Sequence, residues 1–126
     1  MTIAALYDIH GNLPALEGVL AEIAVAGADA IVLGGDIASG PMPRETLDRI
    51  LGLGERARFI RGNADRELVR AFDERGTRDA AGSDDPWRRR ARWNAEQINR
   101  EQRDFLAELP EQLVLEIEGL DRKSVV

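Results

Sequence analysis

Three short apolar segments, spaced almost evenly along the first half of the chain, are each followed directly by a polar motif. The motifs contain Asp8, Asp36 and Asn63, which stand 28 and 27 residues apart. Intervals of this length fit one strand–helix–strand unit of roughly 30 residues, and such units make consecutive strands parallel. Parallel strands bring their carboxyl ends to one edge of a sheet, where ligands of open α/β sheets bind. We therefore expect an α/β fold in which the three polar motifs meet.

The segments between these strands carry the signals of helices. Asn12 can cap a helix whose apolar residues recur at helical spacing. Pro43 opens a second helix, because a residue without an N–H group is tolerated in the first turn. A short third helix is predicted from Asp65, as its cap, to about Phe72. Residues 1–72 are thus predicted to fold as β-α-β-α-β.

The chain changes character in its second half. Residues 73–110 predict a polar loop followed by charged helices, which Pro110 ends. Leu113 to Ile117 alternate apolar and acidic side chains, so residues 111–120 are predicted to form a strand with one solvent-facing side. The last six residues, 121–126, resemble the translation of a sequencing adapter. We expect them to be non-native and the chain to be a shortened gene product.

Composition excludes several classes of protein. The 126 residues include no cysteine, so disulfides and thiolate metal sites are ruled out. Seventeen basic and twenty-three acidic residues give a net charge of −6, which disfavours nucleic-acid binding. No apolar run is long enough for a bilayer, and the N-terminus lacks a basic lead. We expect a cytoplasmic protein with no membrane partner; a truncated sheet with an exposed edge would favour homo-oligomers.

The first polar motif offers a carboxylate and an imidazole. Asp8 and His10 are two residues apart, and in an extended segment such residues point the same way. Both side chains could then bind one metal ion, with Gly11 letting the chain turn sharply behind them. For this motif alone the alternative stays open that Asp8 is a turn residue and His10 a surface histidine.

The second and third motifs add a carboxylate and an amide. Asp36 would repel Asp8 unless a cation lay between them, and a carboxylate can bridge two metal ions. Asn63 could supply an amide oxygen, although an asparagine before a helix is also an ordinary cap. Asp65, besides capping, could support a ligand from behind. Carboxylate, imidazole and amide donors together suit hard or borderline divalent ions.

The motifs Asp-x-His-Gly-Asn, Gly-Gly-Asp and Gly-Asn-x-Asp, in this order and at these intervals, resemble those of the calcineurin-like metallophosphoesterases, above all their small bacterial members. The resemblance implies an α/β/β/α sandwich, of which residues 1–120 would form the incomplete N-terminal half. It also implies two divalent metal ions, with manganese, iron, zinc and nickel as candidates. Asp8 and His10 would bind the first ion, Asp36 would bridge both, and Asn63 would bind the second.

The same resemblance implies hydrolysis of small phosphomonoesters or phosphodiesters, nucleotides among them, by a metal-bound hydroxide. Asp36 and Asn63 would be the catalytic residues, and Asn63 together with Asn12 would contact the substrate. Two features depart from the family: His10 is the only histidine, and Ala64 replaces a histidine that protonates the leaving group in many members. The competing hypothesis is an inactive, truncated α/β domain that binds metal weakly or binds a partner.

A cluster of basic and aromatic residues in the second half allows a different use. It consists of four arginines and two tryptophans: Trp87, Arg88, Arg89, Arg90, Arg92 and Trp93. These side chains could bind substrate phosphates or stack bases. The simpler interpretation, which we favour, is a solvated helix face with packed tryptophans and partial neutralisation by Glu96, Glu101 and Asp104.

Overall fold

The computed structural model describes residues 2–76, 85–117 and 120–125. Its first half is a parallel sheet of three strands in the order β1-β2-β3: β1 (Ile3–Leu6), β2 (Ala30–Leu33) and β3 (Ala57–Phe59). Five α-helices are described: α1 (Leu13–Ala26), α2 (Pro43–Leu51), α3 (Asn63–Asp73), α4 (Pro86–Gln97) and α5 (Arg100–Ala107). The predicted α/β class and the parallel β-α-β-α-β order are confirmed.

The register of the sheet places all three strand ends at one level. Leu6 lies opposite Leu33, and Leu33 lies opposite Phe59. Beyond the last pairs, the N–H of Gly34 still donates to the carbonyl of Leu6 at 2.7 Å, and that of Ile60 to Leu33 at 2.9 Å. The polar loops that follow the strands therefore leave the sheet side by side.

The core lies between the sheet and the helices packed on it. On α1 the residues at helical spacing, Leu16, Leu20 and Ile23, are buried against this core, as the apolar periodicity predicts. Asn12 caps α1 by accepting from the N–H of Ala15 at 3.1 Å, and Pro43 is the first residue of α2. Both helix-start predictions are confirmed.

The start of α3 differs from the prediction. Gly62 occupies the cap position, Asn63 is the first helical residue, and Asp65 is the third, within the first turn. The Asp65 carboxylate still reaches back to the N–H of Gly62 at 2.9 Å. The first amides of a helix have no partners within it. Asp65 supplies a partner for the amide of the cap residue, Gly62, and is not the cap itself.

The second half consists of two helices and a separate pair of strands. Asn99 separates α4 from α5 and caps α5. Its side chain accepts from the N–H of Gln102 at 2.8 Å, and the Gln102 side chain accepts from the N–H of Asn99 at 3.0 Å. The strand β4 (Gln112–Ile117) pairs antiparallel with β5 (Leu120–Val125). β4 lies within the range 111–120 in which the sequence predicts a strand, and β5 is a strand that the sequence did not predict. In the described ranges no helix combines the length and apolarity needed to cross a membrane.

An ion pair joins α3 to α5 and should make the stability of the fold depend on pH. Arg103 donates to both carboxylate oxygens of Asp73 at 2.9 and 2.8 Å, and this hydrogen bonding lowers the pKa of Asp73. A lowered pKa in the folded state means that ionised Asp73 stabilises the fold above the ordinary carboxyl pKa of about 3.9. The stabilisation is lost as the pH falls through the lowered value.

We therefore expect Asp73→Asn to lower Tm by about 1–3 °C at neutral pH and to match the wild type in acid, once the pH has fallen through the lowered pKa of Asp73. Thermal unfolding across this pH range is the measurement. Arg103→Lys keeps the charge but loses the two-point contact, so its Tm should lie between the two. A difference between Asp73→Asn and wild type that persists unchanged in acid would contradict this role.

Candidate metal centre at the carboxyl edge of the sheet

The loops after β1 and β2 run side by side beyond the sheet. The N–H of His10 donates to the carbonyl of Asp36 at 2.9 Å, and the N–H of Gly11 donates to that of Ile37 at 2.8 Å. The start of α3, which follows β3, joins them, because the N–H of Ala64 donates to Asp36 Oδ1 at 2.9 Å. The structure thus brings together the three polar motifs, as the spacing of the strands predicts.

Three side chains form a compact cluster of metal-ligand type at this edge. Asp8, His10 and Asp36 each offer one ligand atom, and these atoms all lie within 4.8 Å of one another. His10 Nε2 is 3.8 Å from Asp8 Oδ1. Two donors that each lie about 2.0–2.3 Å from one ion are at most about 4.6 Å apart. The three ligand atoms are therefore close enough together to bind one divalent ion after a small movement of their side chains.

The backbone of these three residues is unusual. Asp8, His10 and Asp36 have φ angles of 55°, 48° and 52°, and no other non-glycine residue in the described part of the chain has a positive φ. Left-handed conformations cost roughly 1–2 kcal/mol for residues with a Cβ and concentrate at functional sites. The expectation that an extended segment aligns Asp8 with His10 is wrong; left-handed turns bring them together.

The imidazole of His10 is held in one orientation by the loop after β2. His10 Nδ1 lies 3.1 Å from the carbonyl oxygen of Ser39. A carbonyl can only accept, so Nδ1 donates to Ser39, and Nε2 is the ring nitrogen on the side of Asp8. A histidine that binds a metal ion characteristically donates its other ring N–H in this way.

A buried asparagine from the second half of the chain supports this loop. Asn94 on α4 is only 3% exposed; it donates to Ser39 Oγ at 3.2 Å and accepts from the N–H of Gly40 at 3.3 Å. Ser39 and Asn94 were missed by the sequence analysis, because residues 55 positions apart carry no local signal of contact. Asn94 thus links the charged helix to the backbone that orients His10.

Asp65 fixes the loop that carries Asp36. Its side chain is fully buried, and its two oxygens accept from three backbone N–H groups: those of Gly62 at 2.9 Å, Asp36 at 2.8 Å and Ile37 at 2.8 Å. Burial raises the pKa of the Asp65 carboxyl, and the hydrogen bonds from Gly62 and Ile37 offset part of that rise. Asp65 therefore joins the end of β2 to the start of α3 directly behind the metal-ligand cluster.

The two asparagines occupy different positions relative to the cluster. Asn63 has an exposed side chain. It lies close to Asp36, because the N–H of the next residue, Ala64, donates to the Asp36 carboxylate. Asn12 is exposed and uses its carbonyl oxygen to cap α1. A metal or phosphate contact by Asn63 and a substrate contact by Asn12 stay predictions.

Fold and site together define an α/β protein with a carboxylate–imidazole–carboxylate cluster at the carboxyl edge of a parallel sheet. A sequence model of the calcineurin-like phosphoesterases matches residues 1–120. The chain belongs to this family, and the resemblance stated from the motifs is confirmed.

Individual relatives agree with this assignment. Over 70 residues, the chain is 34% identical to the phosphodiesterase YfcE of Escherichia coli K12, an alignment covering 48% of this chain and 38% of YfcE. A metallophosphoesterase from Sphaerobacter thermophilus superposes with a TM-score of 0.65 at 30% identity, over 90% of this chain and 42% of that one. The hypothetical protein PH1004 from Pyrococcus horikoshii shares the fold, with a TM-score of 0.73 at 24% identity, over 96% of this chain and 52% of that one. The chain thus spans about 40–50% of the length of these relatives.

Proposed function

We propose that this chain carries the metal-binding half of a phosphoesterase that hydrolyses small phosphomonoesters or phosphodiesters. The observation that carries the proposal is the convergence of Asp8, His10 and Asp36, whose ligand atoms lie within 4.8 Å of one another on left-handed backbone. Family membership and the phosphodiesterase name of YfcE support a phosphate ester as substrate.

The residues present fit a divalent ion. Asp8, His10 and Asp36 would hold it, and an ion there would supply Lewis-acid chemistry toward a phosphoryl oxygen. The contact of His10 Nδ1 with the carbonyl of Ser39 leaves Nε2 as the nitrogen that would bind the ion. Asp36 is positioned by the amide of Ala64, which leaves its other oxygen for a ligand role.

A second ion would rely on Asp36 as a bridge and on Asn63. Divalent ions of this kind take about six ligands each, and four side chains from Asp8, His10, Asp36 and Asn63 cannot complete two shells. We therefore expect this chain by itself to bind one ion and to hydrolyse esters slowly, with the full activity residing in a protein of its relatives' length. That the described residues supply too few ligands for two ions equally supports the second candidate, a non-catalytic domain that binds metal weakly.

One experiment tests the proposal with two readouts. Manganese binding by calorimetry and hydrolysis of bis(p-nitrophenyl) phosphate are measured on the wild type, Asp36→Asn and the control Glu22→Gln. Glu22 is an exposed carboxylate on α1, away from the cluster. We expect Asp36→Asn to weaken manganese binding at least about tenfold, because a lost charged ligand costs 1.4 kcal/mol or more, and to abolish any manganese-dependent hydrolysis.

The outcomes separate the two candidates. Manganese binding that Asp36→Asn weakens, together with manganese-dependent hydrolysis, supports the phosphoesterase. Binding without hydrolysis favours the non-catalytic domain for this chain. Manganese affinity that is equal in Asp36→Asn and Glu22→Gln would overturn the metal site itself.

A further inference from the structure

The two tryptophans of α4 are exposed, which contradicts the prediction that they are packing anchors. The exposed fractions are 74% for Trp87 and 46% for Trp93. Large aromatic side chains gain much from burial, so two of them in solvent on one helix mark a surface that favours contact with a ligand or partner. Trp87 also stacks with a cation, because the guanidinium of Arg90 lies 5.4 Å from its ring centroid.

Asp104, one of the acidic residues predicted to neutralise the arginines beside these tryptophans, pairs with other arginines instead. Asp104 pairs within α5, with Arg100 at 3.5 Å and Arg103 at 3.0 Å. Over the described ranges, Arg88 and Arg89 form no ion pair, and both are exposed. Unpaired guanidinium groups on adjacent residues stand out in a chain whose net charge is −6.

This surface faces the same space as the candidate metal centre. A cleft of about 1220 Å³ runs from His10 and Ala64 to Trp87 and the arginines of α4. Glu67 and Arg70 also line it, and they pair with each other at 3.6 Å, so they add no net charge. Asp85, the cap of α4, also lines the cleft and offsets one positive charge, so the excess comes from the arginines of α4, in the same cleft as His10.

We propose that α4 binds the part of the substrate that lies beyond the phosphate at the metal centre, and that this part is a nucleoside polyphosphate. Arg88 and Arg89 would bind a further phosphate through charge-assisted hydrogen bonds, and Trp87 would stack on the base. The inference rests on the proposed function for the site at which the ester is cleaved.

Small nucleotides fit this surface better than nucleic acid does. The basic residues occupy about one turn of one helix, whereas nucleic-acid binding uses a basic face or stripe and a positively charged domain. The cleft, at about 1220 Å³, is somewhat larger than the roughly 300–1,000 Å³ common for small-molecule sites. An exposed aromatic ring beside two adjacent arginines matches a ligand in which a base is joined to phosphates.

Binding of ADP, AMP and inorganic pyrophosphate to the full chain tests the proposal, in EDTA so that the metal centre takes no part. Calorimetry gives the affinity, and quenching of tryptophan fluorescence reports the stack. The variants are Arg88→Gln/Arg89→Gln, Trp87→Leu and the control Arg44→Gln/Arg58→Gln. The control removes the same charge from two exposed arginines outside the cleft.

We expect ADP to bind more tightly than AMP, and the cleft double variant to lose about tenfold or more in ADP affinity while the control changes less than about twofold. Trp87→Leu should weaken ADP binding and abolish most of the quenching without changing pyrophosphate binding. ADP affinity that is the same in the cleft and control variants would overturn the proposal. Tighter binding of a single-stranded oligonucleotide than of ADP would overturn it in favour of nucleic acid.

Failure of this inference can be told from failure of the proposed function. If the chain hydrolyses esters with manganese but its ADP affinity is unchanged in the α4 variants, only the role of α4 is rejected. ADP binding that depends on Arg88 and Arg89, in a chain that binds no manganese, rejects only the metal-dependent function.

Discussion

Asp65→Asn is expected to lower the free energy of unfolding by about 2–4 kcal/mol, because it disrupts a buried, fully bonded carboxylate. Both oxygens of Asp65 accept only from backbone N–H groups, those of Gly62, Asp36 and Ile37. An amide in this place must turn its NH₂ group toward at least one of these donors, which leaves two donors facing each other in the core. Urea unfolding followed by circular dichroism measures the loss.

The same change should weaken manganese binding, although Asp65 is not among the metal-ligand cluster. The amides that it bonds belong to Asp36 and Ile37, so their displacement moves the carboxylate that the metal centre requires. Glu67→Gln is the matched control, because Glu67 lies on the same helix α3 and is exposed; it should stay within about 0.5 kcal/mol of the wild type. An Asp65→Asn protein as stable as this control would contradict the supporting role.

The fold was predictable where local patterns decide it. Apolar segments ending in polar motifs predicted three parallel strands, and the level ends at Leu6, Leu33 and Phe59 follow from near-equal intervals. The cap at Asn12 was predictable because it depends on residues three positions away. The position of Asp65 was not, because its three amide partners come from two different loops.

The candidate site was predictable in its residues but not in its geometry. Residue types and order identified Asp8, His10 and Asp36, yet their left-handed backbone comes from loop-to-loop hydrogen bonds that no local pattern encodes. The support of His10 by Ser39, and of Ser39 by Asn94, is likewise a tertiary contact. The exposure of Trp87 was mispredicted because an aromatic residue on a helix is buried more often than it is displayed.

Gly62→Ala should reduce manganese affinity at least about tenfold and stability by about 1–3 kcal/mol, because there is no room for a methyl group. A Cβ at this position would overlap Asp36 Oδ1 and lie 2.6 Å from Asp36 N and 2.9 Å from Asp36 Cγ. The φ of Gly62 is −95°, which any residue adopts, so the substitution tests the close approach of the two loops and not backbone strain.

Gly18→Ala provides the control, because a Cβ on this helical residue of α1 would meet no atom within 4 Å. It should leave manganese affinity unchanged and raise stability by about 0.5–1 kcal/mol, since alanine favours a helix over glycine. The pair therefore separates the cost of a crowded metal site from the general effect of adding a methyl group. Equal manganese affinities in the two alanine variants would show that the contact between Gly62 and Asp36 does not shape the metal centre.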